Sequence, residues 1–265
     1  MTAETDISDF QRRTYSFNGK QKTVLRIGSS GPAVIVIHEV YGFTPTLARF
    51  CRWLSAAGLQ VYAPILFGSA DAENQERQSL TRLLGLCVSR EITLFARGRS
   101  SPIVDWLKPL CRKAHEECGG RGVGAIGMCL TGGFVLAMAV DPVVLAPVLS
   151  QPGLPAFGHA AIDISRVDLS IVRRRVEDEN LEVHGYRFAG DELCRAERFA
   201  TLQNALGSGF KPHVLADASG NPNSPMARSK KPPHSVFTGD LIDAPGQPTR
   251  EAVNDVIAFF RSRLC

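Results

Sequence analysis

The chain has 265 residues, of which 44% are hydrophobic and 21% are charged. This composition is ordinary for a globular protein, and a chain of this length buries enough surface to fold without disulfides. The formal net charge is +4, from 30 basic and 26 acidic residues, and this small, scattered excess argues against nucleic acid as a partner.

The cysteines and the polar start of the chain bear on its location. There are seven cysteines without paired spacings, and an odd number argues against a disulfide framework. The first residues are polar and acidic, unlike a signal peptide. No apolar run reaches the roughly 18 residues that a membrane helix needs. We therefore expect no membrane association and a reducing, cytoplasmic location.

In the first half of the chain, apolar runs alternate with helical periodicities. Residues 1–12 are polar and predict a poorly ordered start. The following elements are predicted, in chain order, as strands 14–18 and 22–27 of a hairpin, a buried strand 33–37, a helix from Pro45 to Gly58, a strand 59–63 and a helix 103–118. Residues 68–100 have no clear pattern.

The same alternation continues in the second half. The predicted elements are, in chain order, strand 122–127, helix 131–140, strand 143–150, helix 166–179, strand 181–189, helix 193–206, strand 211–217 and helix 249–263. Alternating strands and helices predict an α/β fold with a mostly parallel central sheet and helices on both faces. We expect one domain over 1–265, with 151–180 as an insertion and 218–233 as a long loop.

The most informative motif is the segment 127–133, with the sequence GMCLTGG, which joins an apolar strand to an apolar helix. We call this segment the elbow. A nucleophile on such a sharp turn stands clear of the sheet, and glycines permit the turn. The helix start favours a thiolate, so Cys129 is a candidate nucleophile, and the amide of Leu130 a candidate oxyanion donor.

Two other interpretations of the elbow compete with this one. A free cysteine is often a small, inert core residue, and for an isolated cysteine that would be the better interpretation. A dinucleotide-binding turn fits poorly, because the glycine spacing is broken and no acidic residue ends a following strand at the right distance.

The sequence resembles the dienelactone hydrolase family of α/β-hydrolases from about residue 14 to 263. The resemblance rests on four motifs, which are the elbow, IHEVYG at 37–42, AGD at 189–191 and PHSVF at 233–237. In that family the order nucleophile, acid, histidine implies Cys129, Asp191 and His234. Asp191 and His234 both follow predicted strands, and parallel sheets bind ligands at that edge.

The resemblance also implies a role for the segment after the first buried strand. A carboxylate there is costly to bury unless it is paired. Members of the family have a glutamate at this position that helps to activate the thiol, which implies that role for Glu39 and a second oxyanion amide at Val40. The other interpretation of Glu39 is a loop carboxylate in a salt bridge. His38 is assigned no chemistry.

The acid and the base each have alternative candidates. Asp217 also follows a strand and is the second candidate acid, while Asp191 can instead cap the helix after it. The remaining histidines suit core or surface positions better; they are His115, His159, His184 and His213.

The chain departs from the family pattern at two positions. Thr238 stands where dienelactone-cleaving members have an arginine that binds the substrate carboxylate, which puts a dienelactone substrate in doubt and leaves Glu39 without an identified partner. The family's other substrate arginine has ambiguous counterparts at Arg90, Arg97 and Arg99. Thr131 replaces a glycine of the family elbow.

These residues predict hydrolysis of a small-molecule ester or lactone through an acyl-enzyme on Cys129. No metal or cofactor is expected, since histidines and cysteines are not clustered at ligand spacing. A thioesterase or acyl transferase with the same residues, and a non-catalytic or redox-responsive protein of this fold, are the alternatives. The sequence predicts that 68–100 and 151–180 border the pocket, and it does not fix the oligomeric state.

Overall fold

The computed structural model describes residues 6–66, 101–153, 158–162 and 164–265. The predictions for 68–100, including the three candidate arginines, lie outside the described residues. So does part of the insertion 151–180.

Eight strands in the described residues form one sheet. They are β1 (Gln11–Phe17), β2 (Lys20–Ile27), β3 (Ala33–Ile37), β4 (Gln60–Pro64), β5 (Val123–Met128), β6 (Val144–Ser150), β7 (Val183–Phe188) and β8 (Phe210–Leu215). Their order is β1-β2-β4-β3-β5-β6-β7-β8. β2 is antiparallel to both of its neighbours, and all pairs from β4 to β8 are parallel. The predicted, mostly parallel α/β-hydrolase sheet is therefore confirmed.

Helices connect the strands and cover both faces of the sheet. Those in the described residues are α1 (Pro45–Ala56), α2 (Pro102–Cys118), α3 (Gly132–Met138), α4 (Arg166–Glu179), α5 (Ala196–Leu206), α6 (Pro225–Arg228) and α7 (Pro248–Leu264). α1 begins as predicted, because the Thr44 hydroxyl accepts a hydrogen bond from the Leu47 amide and Pro45 follows it. None of the described helices has the length and apolar character needed to span a bilayer.

The core lies in two layers, one on each face of the sheet. α2 and α3 pack on one face around Trp106 and Phe134, and α1 and α7 pack on the other around Phe50 and Phe260. All residues of β3 and β5 are buried, since helices cover both of their faces. Continuous apolar runs in these strands follow from that double coverage.

The start of the chain differs from its prediction. Phe10 is 5% exposed and its ring packs edge-on against Phe43, with centroids 5.3 Å apart. β1 then begins at Gln11, inside the segment 1–12 that was predicted to be poorly ordered. The prediction is wrong for residues 6–12, because burial of the Phe10 ring holds this part of the chain against the core.

The sheet brings several loops to one edge. Because β3, β5, β6 and β7 are parallel, the residues that follow them lie side by side at the carboxyl end of the sheet. Glu39, Cys129, Gln151 and Asp191 lie within three residues of the ends of these strands. His234 arrives from the long loop after β8. This edge is therefore where the candidate site must be sought.

Candidate active site

The elbow places Cys129 in a conformation that side chains rarely adopt. Cys129 has φ of +57° and opens a short 3₁₀ turn, Cys129–Thr131, that leads into α3. A side chain at Gly127 would place its Cβ 2.2 Å from the carbonyl oxygen of Thr131, so only glycine permits the turn. Cys129 is partly exposed, whereas its neighbours Met128 and Leu130 are buried. This is the geometry expected if Cys129 is the nucleophile, and a core thiol does not require it.

His234 and Asp191 form a buried pair beside the elbow. Nδ1 of His234 lies 2.8 Å from Oδ2 of Asp191, and the side chains are 6% and 1% exposed. Oδ1 of Asp191 accepts hydrogen bonds from the amides of Leu193 and Cys194 at 2.9 and 3.0 Å. The carboxylate therefore orients the imidazole and also organises the loop before α5, which moves the helix start from the predicted 193 to Ala196.

The second imidazole nitrogen of His234, Nε2, has Cys129 as its neighbouring reactive group. Nε2 of His234 is buried and has no hydrogen-bond partner of ordinary geometry among the described residues. Burial by itself would lower the pKa of His234, but the adjacent Cys129 sulfur and the hydrogen bond with Asp191 hold that pKa well above its ordinary value. The surroundings thus favour the charged imidazolium form of His234.

A second carboxylate fixes the loop that carries His234. Oδ2 of Asp240 accepts hydrogen bonds from the backbone amides of His234 and Ser235, both at 2.8 Å. Asp240 is 1% exposed. The sequence interpretation missed this residue, because a single aspartate in a loop after the motif carries no pattern of its own.

Glu39 is buried and is hydrogen-bonded by neutral groups. The Gln151 amide and the Thr238 hydroxyl both donate to its Oε1 at 2.9 Å, and the Ser235 hydroxyl donates to Oε2 at 3.2 Å. Burial raises the pKa of Glu39, while the His234 charge and the two hydroxyls act against this increase. The partner that the sequence left unidentified is therefore a set of neutral donors, and no salt bridge to Glu39 exists among the described residues.

The backbone that carries Glu39 and Val40 is fixed by His38. Nε2 of His38 accepts the Leu66 amide at 2.9 Å, so Nδ1 carries the proton and donates to the Glu39 carbonyl 2.6 Å away. Burial lowers the pKa of His38 to about 4, which keeps the ring neutral. The Val40 amide donates to no acceptor in the described part of the chain, so it is free for an oxyanion.

The other candidates lie elsewhere. Asp217 accepts the Gly190 amide at 2.8 Å and thereby supports the loop that contains Asp191. His184 and His213 lie on β7 and β8, where their rings stack on each other with centroids 5.1 Å apart. The structure therefore brings Asp191 and His234 together beside Cys129, and it places Asp217, His184 and His213 outside this group.

Comparison with known proteins agrees with this geometry. The family model described as "Dienelactone hydrolase family" matches residues 22–166, which is more than half of the chain. The chain belongs to the dienelactone hydrolase family. Its members share the α/β-hydrolase fold, and the predicted family resemblance is confirmed.

Solved structures similar to this chain include other members of that family. A putative dienelactone hydrolase from Klebsiella pneumoniae is 15% identical, with a TM-score of 0.63, over 95% of this chain and 98% of that one. A dienelactone hydrolase-like promiscuous phosphotriesterase from metagenomic libraries is 16% identical, with a TM-score of 0.65, over 97% and 98%. A cold-adapted esterase from an Arctic intertidal metagenomic library is 16% identical, with a TM-score of 0.56, over 98% and 97%. At these identities the likeness concerns the fold alone, and no curated protein matches the chain.

Thr131, one of the two departures from the dienelactone hydrolase pattern, links the elbow to β3. Its buried hydroxyl accepts the Met128 amide at 2.9 Å and lies 3.1 Å from the carbonyl oxygen of His38. The threonine thus joins the strand that presents Cys129 to the segment that carries Glu39, a connection that a glycine cannot make.

Proposed function

We propose that this member of the dienelactone hydrolase family cleaves a small-molecule ester or lactone with Cys129 as the nucleophile. The observation that carries the proposal is the buried 2.8 Å contact between His234 and Asp191, with the other imidazole nitrogen left to the Cys129 sulfur. This is the arrangement of nucleophile, base and orienting acid that acyl transfer requires.

In the first half of the reaction, the Cys129 thiolate attacks the carbonyl carbon of the substrate. The amides of Leu130 and Val40 would bind the developing oxyanion, since each follows a strand at the edge where the sulfur lies. The imidazolium of His234 then gives its proton to the leaving alkoxide, which leaves an acyl group on the sulfur. Asp191 holds the ring so that Nε2 faces the reaction.

In the second half, neutral His234 takes a proton from water, and the resulting hydroxide attacks the acyl group. The tetrahedral intermediate then collapses, the C–S bond breaks, and the thiolate leaves while His234 keeps its proton, which restores the ion pair. Glu39 is part of this proposal as the group that assists formation of the thiolate. Its charge and that of Cys129 both act on His234, so a change in the protonation of Glu39 alters the ion pair.

The substrate class follows from the surroundings of Glu39. Thr238 occupies the position of the carboxylate-binding arginine and is already hydrogen-bonded to Glu39. An arriving substrate carboxylate would meet the Glu39 charge rather than a cation at this point. We therefore favour an uncharged ester or lactone over a dienelactone carboxylate.

The proposed compartment is a reducing one such as the cytoplasm. The cysteines that the structure describes are all free thiols, and these are Cys51, Cys111, Cys118, Cys129, Cys194 and Cys265. A catalytic thiolate is also kept reduced in such a compartment.

The proposal is tested by comparing hydrolysis of short p-nitrophenyl esters by the wild type, Cys129→Ala and Cys265→Ala. We expect Cys129→Ala to lower kcat/KM by at least about a thousandfold, since loss of the nucleophile leaves only binding and the oxyanion donors. Cys265 is exposed at the end of α7, so its variant should match the wild type.

Mass spectrometry of enzyme mixed rapidly with ester should also show an acyl group on the peptide that contains Cys129. Equal rates for the wild type and Cys129→Ala would contradict the proposal. Thioesters assayed in parallel identify the acyl-transfer alternative, which predicts a higher kcat/KM for a thioester than for the matching oxygen ester.

A further inference from the structure

Gln151 is a buried polar residue to which the sequence interpretation gave no role. It follows β6 at the same edge of the sheet as Cys129, and it is 0% exposed. Its φ is +32°, which is strained for a residue other than glycine. Such strain persists where surrounding contacts determine the conformation, and it is concentrated at functional sites.

The contacts of Gln151 fix the direction of its side-chain amide. The Val236 amide lies 3.4 Å from Oε1, and a backbone N–H can only donate, so this atom must be the oxygen. The Ser150 hydroxyl also donates to it. Nε2 is therefore the atom that faces Glu39, 2.9 Å from Oε1 of the carboxylate. The amide cannot turn round without losing these contacts.

The backbone around Gln151 connects this amide to the rest of the site. Its own N–H donates to the Tyr186 carbonyl on β7 at 2.7 Å. Two residues later, the Gly153 amide donates to the Cys129 carbonyl at 3.2 Å. The segment after β6 thus contacts both the elbow and the loop after His234, and its side chain extends to Glu39.

We propose that Gln151 is a positioning residue whose side-chain amide holds the ionised Glu39 carboxylate in place beside the Cys129–His234 pair. This deepens the proposed function, on which it rests. A donor to the charged form of a carboxylate stabilises that form, and Nε2 is the sole amide among the described donors to Glu39. Gln151 acts through Glu39 and does not itself react.

The test replaces Gln151 with methionine, which has a similar length but no donor. Loss of one hydrogen bond to a charged group should move the acid limb of the kcat/KM profile to higher pH by about one unit, because Glu39 then ionises less readily. The matched control is Gln60→Met. Gln60 is the first residue of β4, at the edge of the sheet opposite the candidate site, and its side chain donates to the Gly31 carbonyl. Gln60→Met should therefore keep the wild-type profile.

The decisive measurement repeats Gln151→Met in a Glu39→Gln background. If Gln151 acts through Glu39, the shift disappears there, whereas a general packing defect would act in both backgrounds. The rate of iodoacetamide labelling at Cys129 against pH supplies the same comparison without a substrate. Because labelling needs no ester, it tests the role of Gln151 even if the protein does not hydrolyse esters. The ester-hydrolysis proposal is decided separately, by the activity of Cys129→Ala.

If Gln151→Met does not fold, as judged by thermal unfolding, Gln151→Glu takes its place. The new carboxylate would face Glu39, so the two would share a proton and the acid limb should move up by at least about one unit. Equal shifts in the two Glu39 backgrounds, or no shift in a folded Gln151 variant, would overturn the proposal.

Discussion

At the scale of the residue, the state of His234 depends on Asp191. The carboxylate accepts from Nδ1 at 2.8 Å and the pair is almost fully buried. Burial disfavours a charged ring, so the raised pKa of His234 requires the compensating Cys129 sulfur and Asp191 carboxylate. Removing the Asp191 charge should lower the pKa of His234.

We therefore expect Asp191→Asn to lower kcat/KM by about a hundredfold to ten-thousandfold. In the wild type, iodoacetamide labelling of Cys129 should depend little on pH between 6 and 8, because the raised pKa of His234 keeps the imidazolium charge beside the sulfur over this range. In Asp191→Asn, the labelling rate should rise across this range, because His234 then loses its charge more readily and no longer favours the reactive form of the sulfur at low pH. Site-resolved mass spectrometry measures both rates.

Asp217→Asn is the control for this experiment. Asp217 lies beneath the same loop and accepts the Gly190 amide, but it is not the acid that contacts His234. Its variant should keep the flat labelling profile. A flat profile in Asp191→Asn as well would show that another group holds the histidine charged.

At the scale of the element, the positions of the loops depend on links between strand ends. Thr131 provides one between β5 and β3, because its hydroxyl accepts the Met128 amide and reaches the carbonyl oxygens of Ile37 and His38 at 3.2 and 3.1 Å. The hydroxyl is buried, so its loss leaves polar backbone groups without a partner.

Thr131→Val should lower the free energy of unfolding by about 1–3 kcal/mol, since it keeps the shape and removes the hydroxyl. We also expect kcat to fall about tenfold, because Cys129 and the Val40 amide are no longer held at a fixed separation. Urea denaturation and steady-state kinetics measure the two effects. Thr131→Ser retains the hydroxyl and should recover most of kcat; a serine variant as impaired as the valine variant would contradict this role.

The sequence predicted the bounds of strands and helices well where the apolar residues of the pattern are the residues that the fold buries. The predicted strand 33–37 and helix 166–179 match β3 and α4, because a doubly covered strand and a capped helix carry local patterns. The sequence predicts helix for the loop before α5. The hydrogen bonds from the Leu193 and Cys194 amides to Asp191, which shape this loop, depend on tertiary structure and leave no local pattern. α6 lies inside the predicted loop 218–233 for a different reason: four residues are too few to show a helical periodicity, although Ser224 caps the helix.

The grouping of the candidate site residues at one edge of the sheet was also predictable where the residues belong to recognisable motifs. Cys129, Asp191 and His234 belong to motifs that follow strands, and parallel topology brings such motifs to one edge. Gln151 and Asp240 act through hydrogen bonds to residues distant in sequence, and nothing local distinguishes them from ordinary loop residues. Their roles emerge only when β6 and the histidine loop are placed next to Glu39.

At the scale of the whole molecule, a second polar cluster lies away from the candidate site. Glu117, at the end of α2 that leads towards the amino end of β5, pairs with Arg26 at 2.8 Å and accepts the hydroxyls of Tyr15 and Tyr62 at 3.0 and 2.9 Å. These partners belong to β1, β2 and β4. The cluster therefore joins the antiparallel edge of the sheet to α2.

The pH dependence of this cluster has a definite sign. Burial would raise the pKa of Glu117, but the Tyr62 and Tyr15 hydroxyls and the Arg26 charge lower it below its ordinary value of 4.5. A carboxylate with a lowered pKa stabilises the folded state fully above that ordinary value. The contribution is lost as the pH falls through the lower, folded-state pKa.

Glu117→Gln should therefore lower the free energy of unfolding by about 1 kcal/mol at pH 7, and the difference should shrink towards pH 3, where the wild-type carboxyl is also neutral. Urea denaturation at the two pH values measures this change. The value of kcat/KM should stay at the wild-type level, because β3 and β5 remain packed between the two helical layers and still present Cys129 at the other end of the sheet. A variant that loses activity in proportion to its stability would instead show that the antiparallel edge and the elbow respond as one unit.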